Sequence, residues 1–455
     1  MIPIRLQQIA EWTGGALIQG QPDALVYSVS TDTRKGVKDS LFIALKGDRF
    51  DAHRFLGDVA DGGAAAILVS ELPESTESYE GGIVFVRDTL RAMQDQARRF
   101  RRAVDDLRVI GVTGSNGKTS TKDFLASVLS RGGEVNATAG NFNNHIGVPL
   151  TVFATEPGTR FGVWEMGMNH AGEIEVLAEI AAPDAAVVTH IGTAHIENLE
   201  TRDAIAEEKS QLPRSVPASG YCVMPARDDY HDYVARVIDC ELVPVGGEKG
   251  FVRAEDLRVL ENGRTGFRLA SDAADAVDVS LGVRGEHMVQ NALLAAAVGL
   301  REGIEVDEIA EALAEARLTG GRLEEKSVGE IRVLDDSYNA NPDSMRAAIR
   351  TLMGADTEGR RVAVLGFMGE LGEIAEREHV ALGTFLTESG VDALVTVGSE
   401  ASRINEGASE LPVGENFDTH DEAADFLLKY LEDGDLVLFK GSRAADMGRV
   451  LDLLQ

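Results

Sequence analysis

The chain has 455 residues, 44% hydrophobic and 26% charged, the make-up of an ordinary globular protein with room for about three cores. A formal charge of −31 excludes nucleic acid and anionic membranes as partners, though not a nucleotide, whose binding a few local cations decide. Two cysteines make no disulfide framework, no apolar run reaches the ~18 residues of a membrane span, and no basic-then-apolar leader opens the chain, so a cytoplasmic protein is expected.

Residues 1–106 read as a small α/β domain. Strand-like runs at 41–45 and 64–69 lie near two polar loops, Thr31-Asp-Thr-Arg-Lys35 and Lys46-Gly-Asp-Arg-Phe-Asp-Ala-His53. Taken alone, Arg34, Lys46 and His53 are solvated loop charges. The segment 91–104 is expected to be a helix with Arg98, Arg99, Arg101 and Arg102 on its outer side, and Asp105-Asp106 marks a boundary.

Residues 107–318 open on the stretch that the rest of the chain serves. The apolar run 107–112 is a buried strand. It breaks into Thr113-Gly-Ser-Asn-Gly-Lys-Thr-Ser120, then a helix with Phe124, Leu125, Val128 and Leu129 on one face. Strand, glycine turn and helix N-terminus make an anion cradle, where backbone N–H groups converge and the helix dipole adds to them. Lys118 is expected to reach the β- and γ-phosphates, and the Thr119 hydroxyl to sit on magnesium. The bland alternative is a plain strand-to-helix turn with a chance Gly-Lys-Thr. The loop 138–149 offers the amides of Asn141, Asn143 and Asn144 to a polyhydroxyl or peptide ligand, or serves turn chemistry alone.

Strands at 161–166 and 185–189 carry or lead to Glu165 and His195. Catalytic groups of parallel α/β sheets gather at such strand ends, and these two are candidate magnesium ligands. A helix at 203–211 carries Lys209 behind two glutamates, where a lysine is ordinarily a solvated charge. Segments from 242 to 283 look like a β-rich excursion. Asn291 opens an alanine-rich, buried helix, where its amide needs a partner, either a base edge or a backbone group. Leu318-Thr-Gly-Gly321 reads as a helix stop and hinge. From 319 to 455, strands at 331–334, 361–365, 393–397 and 435–439 alternate with helices, which implies a doubly wound parallel sheet.

With these residues in hand, the chain resembles the Mur ligase family over essentially its whole length. The specific pieces are Gly111-Val-Thr-Gly-Ser-Asn-Gly-Lys-Thr119, Glu165-Met-Gly-Met-Asn169, Ala194-His195, Gly321-Arg322, Asp335-Asp-Ser-Tyr-Asn-Ala-Asn-Pro342 and Lys440-Gly-Ser-Arg443. Phe367 departs from the family, which usually has aspartate there. The resemblance implies three α/β domains: a UDP-sugar-binding domain (1–106), a P-loop ATPase with a mostly parallel sheet (107–318) and a Rossmann-like, doubly wound domain (319–455). It implies a monomeric, ATP-dependent amide-bond ligase of peptidoglycan synthesis. Such an enzyme joins D-alanyl-D-alanine to UDP-N-acetylmuramoyl-tripeptide through an acyl phosphate.

The resemblance also implies roles. Thr113, Gly114, Ser115, Asn116, Gly117, Lys118, Thr119 and Ser120 would hold ATP, with Asn291 at adenine and Arg322 and Asp336 at phosphate and ribose. Thr119, Glu165, His195 and a carbamylated Lys209 would hold two magnesium ions. Thr31, Asp32, Thr33, Arg34, Lys46, Gly47, Asp51 and His53 would line the UDP site, and Asn141, Asn143, Asn144, Asn339 and Asn341 the sugar and peptide. Competing readings are a sibling or folylpolyglutamate-type ligase and, in another class, a nucleotide-gated scaffold. Loss of Lys118, Glu165 or His195 would favour the scaffold, and all three are intact.

Overall fold

The computed structural model describes residues 1–47, 50–72, 79–260 and 264–455, and arranges them on three large sheets and a two-stranded pair. The first large sheet is ordered Ala16–Gln19, Gly82–Phe85, Ala66–Val69, Ser40–Ile43 and Ser28–Ser30. Only its first pair is antiparallel. The polar loops beginning at residues 31 and 46 leave C-terminal ends of its strands.

The second sheet has nine strands. Its order is Val135–Ala137, Phe161–Glu165, Arg108–Thr113, Ala185–Val188, Tyr221–Pro225, Glu241–Val245, Val252–Val259, Thr265–Ser271 and Val277–Ser280. Neighbours are parallel as far as Val252–Val259 and antiparallel beyond it. The segments from 242 to 283 are therefore no separate excursion; they extend the same sheet. Arg108–Thr113 lies well inside it, and Val109, Ile110 and Val112 are fully buried. A strand covered on both faces needs this continuous apolar run. Against it lies the helix Lys118–Leu129, backed by the helix Glu286–Arg301. The alanines of the second helix let the two axes come close. At Gly299 an added Cβ would stand 2.5 Å from Val128 Cγ1, so that contact admits no side chain.

The third sheet is ordered Glu324–Val328, Ile331–Asp336, Leu436–Lys440, Arg361–Leu365, Ala393–Val397 and Val413–Phe417, antiparallel only at its first pair. The periodicity misses both outer strands, Glu324–Val328 and Val413–Phe417. Each is an edge with mostly polar or exposed positions, so neither carries a buried strand's apolar pattern. Among the described residues, no helix is long and apolar enough to cross a membrane.

One expectation needs correcting. In the helix Thr89–Ala103, Arg101 turns inward. Its guanidinium donates to the carbonyls of Ala181 and Ala182 at 3.1 and 3.3 Å and pairs with Asp184 at 3.0 Å. Those carbonyls end the helix Glu173–Ala181, and a cation satisfies them and its dipole at once. Arg99 and Arg102 are exposed as expected. Arg101→Ala should therefore lower the unfolding free energy by about 2 kcal/mol in urea titrations, as for a lost charged hydrogen-bond set. Arg102→Ala should change it by less than about 0.5 kcal/mol.

Candidate active site

The phosphate loop is held open by contacts that glycine alone permits. Gly114 has φ 150° and Gly117 φ 77°. A Cβ on Gly114 would lie 1.9 Å from Thr189 Oγ1, and one on Gly117 2.5 Å from Asn291 Oδ1. Thr189 closes the loop by donating to the Asn116 carbonyl, and Ser115 N donates to His190 O at 2.7 Å. The helix Lys118–Leu129 then begins with its free N–H groups directed at the cleft.

Two lysines converge on this loop. Lys118 Nζ donates to Gly114 O at 2.8 Å and Lys209 Nζ to the same oxygen at 3.0 Å. Lys209 is 1% exposed, on the helix Arg202–Arg214, so the solvated reading of its charge is overturned. Burial and then the Lys118 cation press its pKa far below the ordinary lysine value, while burial also lowers that of Lys118. Its neighbour Glu208 also points inward, accepting from Gly172 N and Ile174 N at 2.8 Å each.

Glu165 is buried at the end of its strand, accepting from Thr119 Oγ1 at 2.8 Å and Asn143 Nδ2 at 2.7 Å. Two adjacent oxygen donors beside a phosphate loop fit a hard cation such as magnesium. Among the described residues no three His, Cys, Asp or Glu side chains group as a metal cage. A bound magnesium would therefore draw further ligands from nucleotide and water, as that ion ordinarily does. His195 faces the same cleft with φ 67°, and its Nδ1 lies 2.5 Å from Glu370 Oε2. Burial lowers its pKa against the pull of Glu370.

The C-terminal sheet closes the other wall of a cleft of about 990 Å³. Asn341 Nδ2 donates to Asn116 Oδ1 at 2.6 Å while its own Oδ1 caps the helix Pro342–Gly354, so it touches the phosphate loop. Asn339 Oδ1 accepts from Ala340 N, a local turn. Arg322 stacks 4.2 Å over the Tyr338 ring, and Asp336 receives Lys440 Nζ at 2.6 Å. Asn144 is likewise committed to its own turn, accepting from Ile146 N and Gly147 N. Thus Ser115 to Ser120, Asn141, Asn143, Asn144, Glu165, His195, Asn291, Arg322, Asp336, Asn339 and Asn341 share one cleft. Thr113, Gly114 and Lys209 stand behind its wall.

The N-terminal candidates stand apart from this cleft. Arg34 grips Asp32 with two side-chain bonds of 2.9 and 2.8 Å, and that guanidinium holds the Asp32 carboxyl down at about 2. His53 Nδ1 lies 2.7 Å from Asp51 Oδ1, with Nε2 accepting from Ser70 N, and Lys46 reaches both Asp51 and Glu71. Thr31, Thr33 and Gly47 belong to the same two loops. One link to the cleft is Lys35, whose ammonium lies 5.1 Å over the Phe142 ring in the asparagine loop. Sequence reasoning left out Glu370, Lys440, Tyr338 and the pair His190–Asp228, whose Nδ1–Oδ2 distance is 2.9 Å. Lys440 and Tyr338 sit inside recognisable strand-end motifs. Asp228 has no such signal.

Comparison with known proteins gives the same picture. The Mur ligase middle domain matches residues 112–299, and the Mur ligase glutamate ligase domain matches residues 321–443. The UDP-N-acetylmuramoyl-tripeptide–D-alanyl-D-alanine ligase of Bacillus subtilis (strain 168) is 36% identical, covering 100% of this chain and 99% of its own. The Escherichia coli (strain K12) protein of the same name gives the same identity and coverage. Among solved structures, a MurF from Acinetobacter baumannii superposes with TM-score 0.91 at 34% identity, covering 99% of each chain. A MurF ligase from Thermotoga maritima in complex with ADP gives 0.83 at 28% identity, covering 94% of this chain and 97% of that one.

Two outcomes follow from the geometry. Gly114→Ala should weaken ADP binding at least about tenfold in calorimetry, since the loop must shift to clear Thr189 and the phosphates bind its backbone. The second concerns His287, whose pKa burial and the nearby Lys440 lower to about 4. Below about pH 6.5 the unfolded chain takes up a proton that the fold refuses, so stability is lost as pH falls from there toward 4. His287→Asn should flatten that limb by roughly 3 kcal/mol, read from urea unfolding at neutral and acid pH.

Proposed function

The chain belongs to the Mur ligase family, and on that premise we propose that it is the ATP-dependent ligase that joins D-alanyl-D-alanine to UDP-N-acetylmuramoyl-tripeptide. The observation that carries the reading is the convergence of two lysines on the Gly114 carbonyl beside the Thr119–Glu165 pair. Lys118 and the N-terminus of the helix Lys118–Leu129 are suited to the phosphates of a nucleoside triphosphate.

A carboxylate is a poor acyl donor. The tripeptide carboxylate attacks the γ-phosphorus, the bond to the β-phosphate oxygen breaks, and an acyl phosphate and ADP result. Both reactants are anions, and Lys118 with the helix N-terminus screens them and stabilises charge moving to ADP. Thr119, Glu165 and His195 would hold magnesium, which would neutralise further phosphate charge. The amine of D-alanyl-D-alanine then attacks the acyl carbon, loses a proton, and phosphate departs. Water must be kept out meanwhile, which the wall formed by Asn341, Arg322 and Glu370 serves.

The finer assignments belong to this reading. The domains run 1–106, 107–318 and 319–455, and the Asp32–Arg34 and Asp51–His53 loops grip the UDP moiety. Lys209 is carbamylated: its neutral amine bonds to the carbon of CO₂ and releases a proton. The resulting anion helps hold a second magnesium. Burial lowers the pKa of that amine and so favours the neutral, reactive form.

Phosphate release with UDP-muramoyl-tripeptide should be fast with D-alanyl-D-alanine and negligible with D-Ala, L-Lys or L-Glu; equal turnover with all four would refute the assignment. Lys118→Ala should fold normally and lose on the order of 3–4 kcal/mol of transition-state stabilisation, seen as turnover reduced several hundredfold. Lys209→Ala should lose most activity, and millimolar small carboxylic acids should restore part of it. Full activity without rescue would remove the carbamate.

A further inference from the structure

His195 and Glu370 meet across the cleft from different sheets. His195 follows the strand Ala185–Val188, and Glu370 follows Arg361–Leu365. Their side chains approach to 2.5 Å between Nδ1 and Oε2, a charge contact that lacks hydrogen-bond geometry, with the imidazole 16% exposed. The backbones dock as well. Glu197 N donates to Glu370 O at 3.2 Å, and a Cβ on Gly372 would lie 3.3 Å from Glu197 Cα. Both residues hold left-handed backbone, φ 67° for His195 and 61° for Glu370. Non-glycine residues keep that conformation only where the surroundings impose it, and such residues cluster at functional sites.

We propose that Glu370 is a positioning residue for His195. Its negative charge beside Nδ1 favours the proton on that nitrogen, leaving Nε2 as the basic nitrogen presented to a metal–nucleotide complex. A histidine ligand is ordinarily oriented this way, by a carboxylate on its other ring nitrogen. The inference rests on the reading of His195 as a metal ligand. It gives work to the loop 366–372, where Phe367 stands in place of an acid. Phe367 anchors that loop by packing against the core and accepting from Ser442 N at 2.9 Å, and Glu370 supplies the carboxylate. Because the carboxylate comes from the C-terminal sheet, the metal ligand is fully oriented only while the two sheets are docked.

The test uses the full chain saturated with ADP and Mn²⁺ as the probe ion, read by electron paramagnetic resonance, with the His195 tautomer read from ¹⁵N imidazole shifts. Glu370→Gln should weaken Mn²⁺ binding by about tenfold or more and mix the tautomers, while ADP affinity without metal stays unchanged. Glu370→Asp should recover part of the loss. A change in Mn²⁺ affinity below roughly threefold with an unaltered tautomer would overturn the proposal. His195→Ala is measured beside them. If it leaves Mn²⁺ affinity intact, the metal-ligand reading itself fails; if it weakens binding and Glu370→Gln does not, only the role of Glu370 fails.

Discussion

Two lysine side chains donate to one carbonyl oxygen, that of Gly114, and the rest of the central structure can be understood as what makes this tolerable. Burial lowers the pKa of both amines, and the Lys118 cation lowers that of Lys209 further. Folding energy must therefore come from elsewhere. It comes from the apolar strand Arg108–Thr113 inside a nine-stranded sheet and from the alanine-lined seam between two helices. Phosphate bound at the loop would pair with the Lys118 cation and raise its pKa again.

The same constraint explains which parts were legible in the sequence. The phosphate loop was, because glycine spacing, a lysine and a following helix are local chemistry read along the chain. Glu165 and His195 were legible as residues at or just beyond strand ends. Lys209 was legible only through the family resemblance: after two glutamates it has the look of a solvated charge, and its burial depends on how the helix Arg202–Arg214 packs against the sheet. Arg101 misread for the same reason, and the inward turn of Glu208 went unread. Each is a charged side chain turned inward to satisfy the end of another helix, distant in sequence. The edge strands Glu324–Val328 and Val413–Phe417 escaped because half-solvated strands carry little apolar pattern.

At the cleft the central and C-terminal sheets meet through polar pairs, such as Asn116 with Asn341 and His195 with Glu370, and behind it a continuous apolar cluster joins them. Polar pairs of this kind fix geometry without burying much apolar area, so they suit a wall that must open for substrates and close during chemistry. The N-terminal loops follow a different rule. Asp32, Asp51 and Glu71 already pair with Arg34, His53 and Lys46, which preorganises those side chains before any ligand arrives.

The central claim, that burial holds the Lys118 pKa down until phosphate arrives, is tested by proton counting. ADP is titrated calorimetrically into the full chain over about pH 7–10, in buffers of different ionisation enthalpy. The account predicts net proton uptake on binding that is lost in Lys118→Met, because phosphate raises a pKa that burial had lowered. Binding with no proton exchange, or with release, would contradict it.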